Sequence, residues 1–409
     1  MNSNTRSGIS ACFYLIKNMN NKQEIISDYK CPVCGNADIH SIGYLNGKPY
    51  CRRCIYFKGE EVEHKPSYPK KAPIHLSYEL SSEQKELSDK LVENYKKGID
   101  SLVFAVCGSG KTEISLAVIQ YVINCGEKAA FAVPRKDVVI ELYDRLKNIF
   151  KNNKVIALYG GHHNDFYGDL VILTTHQLFR YKKYFSLIIL DEIDAFPFKG
   201  NDVIKNIFFN SLNGHYIFMS ATPTKEALKL FKGNGKDILR LDIRFHRHPL
   251  PVPFLIIRHT PIRYLSLLFA IKKILSKGRQ LFIFAPTIDQ CEMIFRFVSL
   301  FFKNGNFVHS KQKFRNEIIS EFKQKKWRFL VTTSVLERGV TVKGLDVIVM
   351  NAHHEIYDSG TLVQIAGRAG RKKDDPSGKV IFIAKKKTKE MEAANANIIK
   401  SNKALQNML

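Results

Sequence analysis

Four cysteines in two closely spaced pairs are the first residues whose types and spacing could do chemistry. They form the pattern Cys31-x2-Cys34-x16-Cys51-x2-Cys54. Each pair turns two sulfurs toward one point, and two pairs complete the tetrahedron that Zn²⁺ takes with four thiolates. Two disulfides are the alternative, but a long chain without a clear secretory signal favours a reducing compartment. The spacing predicts one structural zinc ion in a module of residues 28–60.

A glycine-rich stretch within residues 101–116 lies between an apolar run and an apolar-periodic segment. A strand, a loop and a helix in this order are the context that a phosphate-binding loop requires, because backbone N–H groups at the helix start can approach phosphate. Lys111 would reach the β- and γ-phosphates of a nucleotide, and Thr112 would ligate Mg²⁺. The residues predicted to surround the nucleotide here are Ala105, Val106, Cys107, Gly108, Ser109, Gly110, Lys111 and Thr112.

Two acidic residues end a second apolar run, Leu187-Ile-Ile-Leu-Asp191-Glu192. We expect Asp191 to hold Mg²⁺, directly or through water, and Glu192 to orient or deprotonate an attacking water. Acids at the end of a strand are often only turn residues. The upstream phosphate-binding loop favours a nucleoside-triphosphatase site instead.

The elements that must position these residues alternate between apolar strands and periodic helices, which predicts an α/β fold with two parallel sheets. A further buried strand is expected in residues 279–286, followed by a helix from about Asp289, and the segments 328–340 and 364–371 continue this alternation. The predicted divisions are an N-terminal segment 1–27, the cysteine module 28–60, a linker 61–76, a nucleotide-binding lobe 77–244, a second lobe 245–390 and a tail 391–409.

The composition of the 409 residues is globular, with 45% hydrophobic and 25% charged residues, and it excludes global disorder. The net charge is +25. Residues 245–409 hold 29 basic and 12 acidic side chains, a net of +17, whereas residues 77–244 have a net of only +3. This surplus points first to nucleic acid and second to an anionic membrane surface. No stretch approaches the ~18 apolar residues that span a bilayer, so we expect a cytoplasmic protein without a transmembrane segment.

The Asp-Glu-Ile-Asp sequence at residues 191–194 resembles the DExD box of superfamily 2 helicases, which implies two RecA-like lobes. Gln84 resembles the glutamine that reads adenine in that superfamily. Arg368 and Arg371 resemble the arginines that reach the γ-phosphate, and Arg371 is the better candidate for the arginine finger. The residues whose positions resemble coupling or nucleic-acid contacts are Pro134, Arg135, Thr174, Thr175, Ser220, Thr222, Thr332, Thr333, Arg338 and Gln364.

The cysteine module followed by a compact two-lobe motor is similar to the ComFA family of late-competence proteins, over roughly residues 25–385. Three segments add to this resemblance: 134–142, 244–253 and 332–340. It implies an ATP-dependent motor on single-stranded DNA that helps to pull in transforming DNA. It also implies a place at the inner face of the cytoplasmic membrane, with peripheral association, beside the uptake channel and other competence proteins.

Three alternatives stay open. The chain could instead be a replication-restart or repair DNA helicase that opens duplexes, or a DNA-binding scaffold that uses nucleotide only as a switch. Within the cysteine module, cations and aromatic side chains could grip nucleic acid or could only form a small core. The residues in question are Arg52, Arg53, Lys58, Tyr44, Tyr50, Tyr56 and Phe57.

Overall fold

The computed structural model describes residues 29–57, 59–106, 108–162, 165–194, 197–222, 225–241, 244, 247–337, 342–370 and 375–406. The chain divides into two compact units. The first comprises the described parts of Met1–Ser77, Val92–Asp100 and Ala117–Phe218. The second comprises those of Tyr78–Leu91, Ser101–Leu116 and Met219–Leu409. The expectations for residues 1–27, Lys58, Cys107, Arg338 and Arg371 lie outside the described residues.

The secondary structure alternates between strands and helices for most of the chain. In chain order the strands are β1 (Ile42–Leu45), β2 (Lys48–Cys51), β3 (Asp100–Ala105), β4 (Ala129–Val133), β5 (Val155–Leu158), β6 (Leu170–Thr174), β7 (Phe185–Asp191), β8 (Leu212–Ser220), β9 (Lys236–Leu241), β10 (Phe254–Ile257), β11 (Gln280–Phe284), β12 (Gly305–Val308), β13 (Phe329–Thr332), β14 (Leu345–Met350) and β15 (Val380–Ala384). The α-helices are α1 (Ser82–Lys96), α2 (Lys111–Ile114), α3 (Leu116–Asn124), α4 (Lys136–Ile149), α5 (Asp202–Ser211), α6 (Lys225–Leu230), α7 (Ile262–Leu275), α8 (Ile288–Ser299), α9 (Arg315–Lys323), α10 (Ser359–Ala366) and α11 (Lys389–Gln406). Short 3₁₀ helices cover Ile39–Ser41, Thr175–Arg180 and Ser334–Leu336.

The cysteine module is built on an antiparallel hairpin of β1 and β2. Asn46 and Gly47 connect the two strands, with φ angles of 51° and 75°. Two consecutive residues in the left-handed region suit a tight hairpin turn, and Asn-Gly is the favoured pair there. The hairpin ends at Cys51, so the turn fixes where the second cysteine pair begins.

In the first unit, strands β5, β6, β4, β7 and β8 are neighbours in that order. Strand β4 runs parallel to both β6 and β7, and β5 runs parallel to β6. Every residue of β4 and β6 is buried. Continuous burial is expected for parallel strands, because helices cover both faces of such a sheet. The parallel register brings the ends of β4, β6 and β7 to one edge of the sheet.

The second unit contains a six-stranded parallel sheet in the order β10, β15, β14, β11, β13 and β12. Alternate residues of β11 face opposite cores. Phe282 and Phe284 belong to one hydrophobic cluster, whereas Leu281 and Ile283 belong to the other. This alternation places helices on both sides of the sheet. Strands β3 and β9 of this unit are also neighbours.

The predicted α/β class, with parallel sheets and an N-terminal four-cysteine module, is confirmed. Among the described helices, none combines the length and the apolar character needed to cross a bilayer.

Candidate functional site

The four predicted zinc ligands are brought together and buried. All four sulfurs lie within 4.8 Å of one another. The Sγ atoms of Cys31 and Cys54 are 3.4 Å apart, and those of Cys34 and Cys51 are 3.7 Å apart. A tetrahedron with Zn–S bonds of about 2.3 Å has sulfur–sulfur edges of about 3.8 Å. The cluster therefore fits a tetrathiolate zinc ion.

Polar neighbours hold this cluster in shape. Asn36 is buried; its Nδ2 lies 3.6 Å from Cys51 Sγ, and its Oδ1 accepts a hydrogen bond of 3.2 Å from Arg53 Nη1. Burial raises the pKa of the Cys34 thiol to about 11. A divalent cation would reverse that shift, because a coordinating thiol loses its proton. His40, exposed at the surface, is not part of the cluster.

The glycine-rich loop follows β3 and leads directly into α2. Gly108 and Gly110 have φ angles of 84° and 85°, in the region that favours glycine. Gly110 caps α2, so that Lys111 and Thr112 form the first turn of the helix. A Cβ atom at Gly110 would collide with the Gln84 amide nitrogen. The backbone angle therefore favours glycine at this position, and a larger residue would also displace the Gln84 amide.

Gln84 connects the start of α1 with this loop. The backbone N–H of Gln84 donates to Ser81 Oγ (3.3 Å), and the side-chain Oε1 of Gln84 accepts a hydrogen bond from the backbone N–H of Ser81 (3.0 Å). This reciprocal pair is a capping box. The Nε2 of Gln84 donates to the carbonyl oxygen of Ser109 at 2.8 Å. Tyr78 and Glu113 make a second link of this kind, through a 2.6 Å hydrogen bond from Tyr78 Oη to Glu113 Oε1.

Arg244 is buried, and it opens the segment 244–253 whose sequence resembles the ComFA family. Its Nη1 donates to Gly370 O at 2.7 Å, and its Nη2 donates to Gly367 O at 3.2 Å. These carbonyls follow α10, which carries Gln364 and leads to Arg368. A cation is favoured at a helix C-terminus, because the last carbonyls lack helical partners. A single sequence gives no signal that pairs residue 244 with residues 367–370.

The acidic pair lies where β7 ends. Asp191 is the last residue of the strand, and its Oδ1 accepts a 2.9 Å hydrogen bond from the Glu192 N–H. Glu192 has a φ of 61°. A non-glycine residue in this region is strained, and such strain is concentrated at functional sites.

The predicted nucleic-acid residues of the first unit meet at the same edge of the sheet. Pro134 and Arg135 follow β4, and Arg135 is the N-cap of α4. Thr174 ends β6 opposite Val133, and the Thr175 hydroxyl donates to Val133 O at 3.2 Å. Thr175 is fully buried, so its hydroxyl is used within the protein fold.

The corresponding residues of the second unit are also largely buried. Ser220 ends β8, and its Oγ accepts a 2.9 Å hydrogen bond from Thr222 N–H. The Thr332 hydroxyl donates to Val308 O at 2.9 Å, and Thr333 occupies the N-cap position of the 3₁₀ helix that follows, without a side-chain capping hydrogen bond. Gln364 and Arg368 are 3% and 5% exposed. Arg338 and Arg371 fall outside the described residues, and their roles stay predictions.

Family models match both parts of the proposed motor. Residues 77–225 match the model described as type III restriction enzyme, res subunit, and residues 266–373 match helicase conserved C-terminal domain. Among solved structures, RecG bound to a three-way DNA junction has a TM-score of 0.60 at 20% identity, over 83% of this chain and 49% of that one. Dbp5 of Saccharomyces cerevisiae, bound to RNA and ADP BeF3, has a TM-score of 0.57 at 14% identity, over 81% of this chain and 98% of that one. These likenesses concern the fold.

Two curated proteins match nearly the whole chain. The competence protein ComFA of Bacillus subtilis is 35% identical over 402 residues, which is 91% of this chain and 86% of that protein. ComFA of Streptococcus pneumoniae is 34% identical over 92% of this chain and 90% of that protein. The helicase family matches together with these relatives confirm an ATP-hydrolysing, DNA helicase-like enzyme. The chain belongs to the ComFA family.

Proposed function

We propose that the protein is an ATP-driven motor on single-stranded DNA that powers the uptake of transforming DNA during natural competence. The observation that carries this proposal is the 35% identity to a competence protein along 91% of the chain. The proposed domain organisation is the one predicted above, with a cysteine module, a linker, two motor lobes at 77–244 and 245–390, and a tail.

ATP with Mg²⁺ would supply the phosphoanhydride bond whose hydrolysis drives the motor. The left-handed backbone at Gly108 and Gly110 supports a role in cradling phosphates, and Lys111 in the first helical turn would neutralise the β- and γ-oxygens. Thr112 and Asp191 would hold the metal ion. Gln84 uses one amide N–H on the loop, so its other N–H can serve an adenine ring.

Glu192 would accept the proton of the attacking water, and its strained backbone supports such a role. Arg368 and Arg371 would offset the charge that develops on the transferred phosphoryl group, with Arg371 as the arginine finger. The Ser220 Oγ accepts a hydrogen bond from the Thr222 N–H. These two residues would couple hydrolysis to movement.

Single-stranded DNA would bind through phosphate contacts that carry no base sequence. The net charge of +17 in residues 245–409 supports this, because clustered Lys and Arg side chains attract a polyanion. The residues at the coupling and nucleic-acid positions would be Pro134, Arg135, Thr174, Thr175, Thr332, Thr333, Arg338 and Gln364. Of these, the buried Thr175, Thr332 and Gln364 would position the contact segments from within the fold. One zinc ion on the four cysteines would stabilise the N-terminal module.

Competence proteins and a membrane DNA-uptake channel are the proposed partners, at the inner face of the cytoplasmic membrane. The names of the two ComFA relatives support this placement. A peripheral association is consistent with the net charge of +25, since anionic lipid attracts basic surfaces.

ATP turnover measured with and without single-stranded DNA tests the proposal. We expect DNA to stimulate the wild-type protein, and Lys111→Ala to lose at least about a hundredfold of that turnover because the phosphate charge is no longer neutralised. Lys85→Ala, at an exposed position of α1, is a control that keeps both activities. Full turnover by Lys111→Ala, or a wild-type protein that DNA does not stimulate, would refute the motor.

A replication or repair helicase is the second candidate, favoured by similarity to the ATP-dependent DNA helicase RecG of Streptococcus pneumoniae. That protein is 23% identical to this chain, and the match covers 77% of this chain and 50% of RecG. Forked DNA and RNA substrates in the same assay separate the candidates. Efficient strand displacement on forks would favour the repair helicase, whereas stimulation by plain single strands without displacement favours the uptake motor. ATP binding without turnover on any nucleic acid would favour a scaffold.

A further inference from the structure

The cysteine module packs on the 3₁₀ helix Thr175–Arg180, and both lie within the first unit. The ring of Phe57 is stacked on His176, with centroids 6.0 Å apart and an interplanar angle of 21°. It also contacts Phe179, with centroids 5.7 Å apart. The Phe57 N–H donates to Cys54 O at 2.9 Å, so this ring is tied to a proposed zinc ligand.

The segment after the module grips the end of the same helix. Val62 N–H donates to Arg180 O at 2.8 Å. The Arg180 guanidinium lies so close to Gly59 that a Cβ atom there would collide with it. Arg180 is itself buried, and its Nε donates to Gln177 Oε1 at 2.8 Å. Both the start and the end of the 3₁₀ helix therefore contact the module or its linker.

The first cysteine pair makes an independent attachment. The side-chain amide of Asn210, at the end of α5, donates to Val33 O at 2.9 Å, between Cys31 and Cys34. Pro32 and Val33 line a small cavity together with Phe179 and Asn210. Both cysteine turns are thus fixed against the sheet-bearing part of the unit.

The 3₁₀ helix leads out of the strand end that carries Thr174 and Thr175. A 3₁₀ helix has poorer hydrogen-bond geometry than an α-helix, so its position depends on what packs against it. Burial lowers the pKa of His176, which keeps its ring neutral at pH 7 and suited to stacking on Phe57. The neighbouring Tyr56 differs from Phe57 in burial, because Tyr56 is 92% exposed.

We propose that the zinc-loaded cysteine module positions the segment 174–180, which is the predicted DNA-contact segment at the end of β6 with its 3₁₀ helix. Phe57 is the residue through which the module holds that helix. This inference rests on the proposed function. It gives adjacent aromatic residues opposite roles: Phe57 acts within the protein, whereas Tyr56 would be the residue available to stack on a base if the module gripped DNA by itself.

The test measures ATP turnover of the full, zinc-loaded chain against the concentration of a single-stranded oligonucleotide. For Phe57→Ala we expect the half-stimulating DNA concentration to rise about threefold to tenfold, the range that loss of an aromatic pair gives. Maximal turnover at saturating DNA should stay within about twofold of wild type, with one zinc ion per chain retained. Tyr56→Ala should leave the half-stimulating concentration within about twofold of wild type.

Two further variants keep the test decisive. Phe57→Tyr retains the ring and should restore the wild-type curve. If Phe57→Ala does not fold, Asn210→Ala removes the other attachment and should shift the curve in the same direction. A shift for Tyr56→Ala with none for Phe57→Ala would overturn the inference and make the module a direct DNA grip. A wild-type protein that DNA does not stimulate contradicts the motor itself, whereas a stimulated wild type with an unchanged Phe57→Ala curve contradicts only the positioning role.

Discussion

At the scale of single residues, Arg244 buries its guanidinium against the carbonyl groups that follow α10. It is 2% exposed, and its side-chain carbons lie near the position of a Cβ at Gly108 in the phosphate-binding loop. One side chain therefore contacts the segment that leads to Arg368 and approaches the loop that leads to Lys111. Both segments belong to the second unit.

We expect Arg244→Ala to lower the free energy of unfolding of that unit by about 2–3 kcal/mol, because buried carbonyls lose charged donors. Arg247→Ala is the matched control. Arg247 pairs with Glu83 at 2.8 Å, but its side chain is 48% exposed, so its loss should cost less than about 1 kcal/mol. Chemical denaturation of the three proteins measures the difference. Equal effects of the two substitutions would show that the buried contacts stabilise the protein no more than the exposed ion pair does.

The residues that could be predicted from sequence are those whose chemistry depends on close spacing. Cys31 and Cys34 converge because only two residues separate them. Lys111 lies at the phosphate-binding loop because it directly follows Gly110 in the sequence. Arg244 and Phe57 depend on contacts with segments more than a hundred residues away. From sequence, Phe57 could belong either to a small core or to a base-stacking surface. Its stacking on His176 assigns it to contacts within the protein.

At the scale of elements, the start of α1 both caps its own helix and contacts the phosphate-binding loop. Ser81 and Gln84 cap the helix reciprocally, and Gln84 then reaches the loop at Ser109. The capping pattern is visible in the sequence as Ser-x-x-Gln. This capping role and the adenine-reading role predicted for Gln84 use different atoms of one amide.

Two substitutions separate these roles. Ser81→Ala should cost about 1 kcal/mol of stability through loss of the cap, with the KM for ATP within about twofold of wild type. Gln84→Glu keeps an acceptor for Ser81 N–H but loses the donor to Ser109 O, so the KM for ATP should rise about fivefold or more. Thermal unfolding and steady-state ATPase assays provide both values. An unchanged KM in Gln84→Glu would remove Gln84 from the nucleotide site.

Several strands were predictable, because short apolar runs such as Leu102–Val106 and Leu187–Leu190 are typical of strands that are covered on both faces of a parallel sheet. Their order in the sheet was not predictable. Strand β15 lies between β10 and β14, which brings the end of the lobe beside its beginning. Long-range pairing of this kind depends on how helices pack on both faces, and a single sequence does not record that.

At the scale of the whole molecule, the basic surplus should make DNA binding strongly dependent on salt. For single strands the logarithm of the affinity falls with the logarithm of the salt concentration, with a slope of about −0.7 for each phosphate contacted. We expect affinity for an oligonucleotide to fall at least about tenfold between 50 and 200 mM salt, and to change little with base sequence. Fluorescence anisotropy on mixed-sequence and homopolymer strands measures both. A flat salt dependence would contradict phosphate-led binding.

The left-handed backbone of Glu192 has a consequence for how this protein can change. Holding a glutamate at a φ of 61° costs of order 1–3 kcal/mol, and a whole domain is stable by only about 5–15 kcal/mol. Glycine would relax that backbone and would remove the carboxylate that the proposed chemistry needs. Selection of variants for thermostability alone would therefore enrich inactive proteins at this one position, and only selection for activity retains the glutamate.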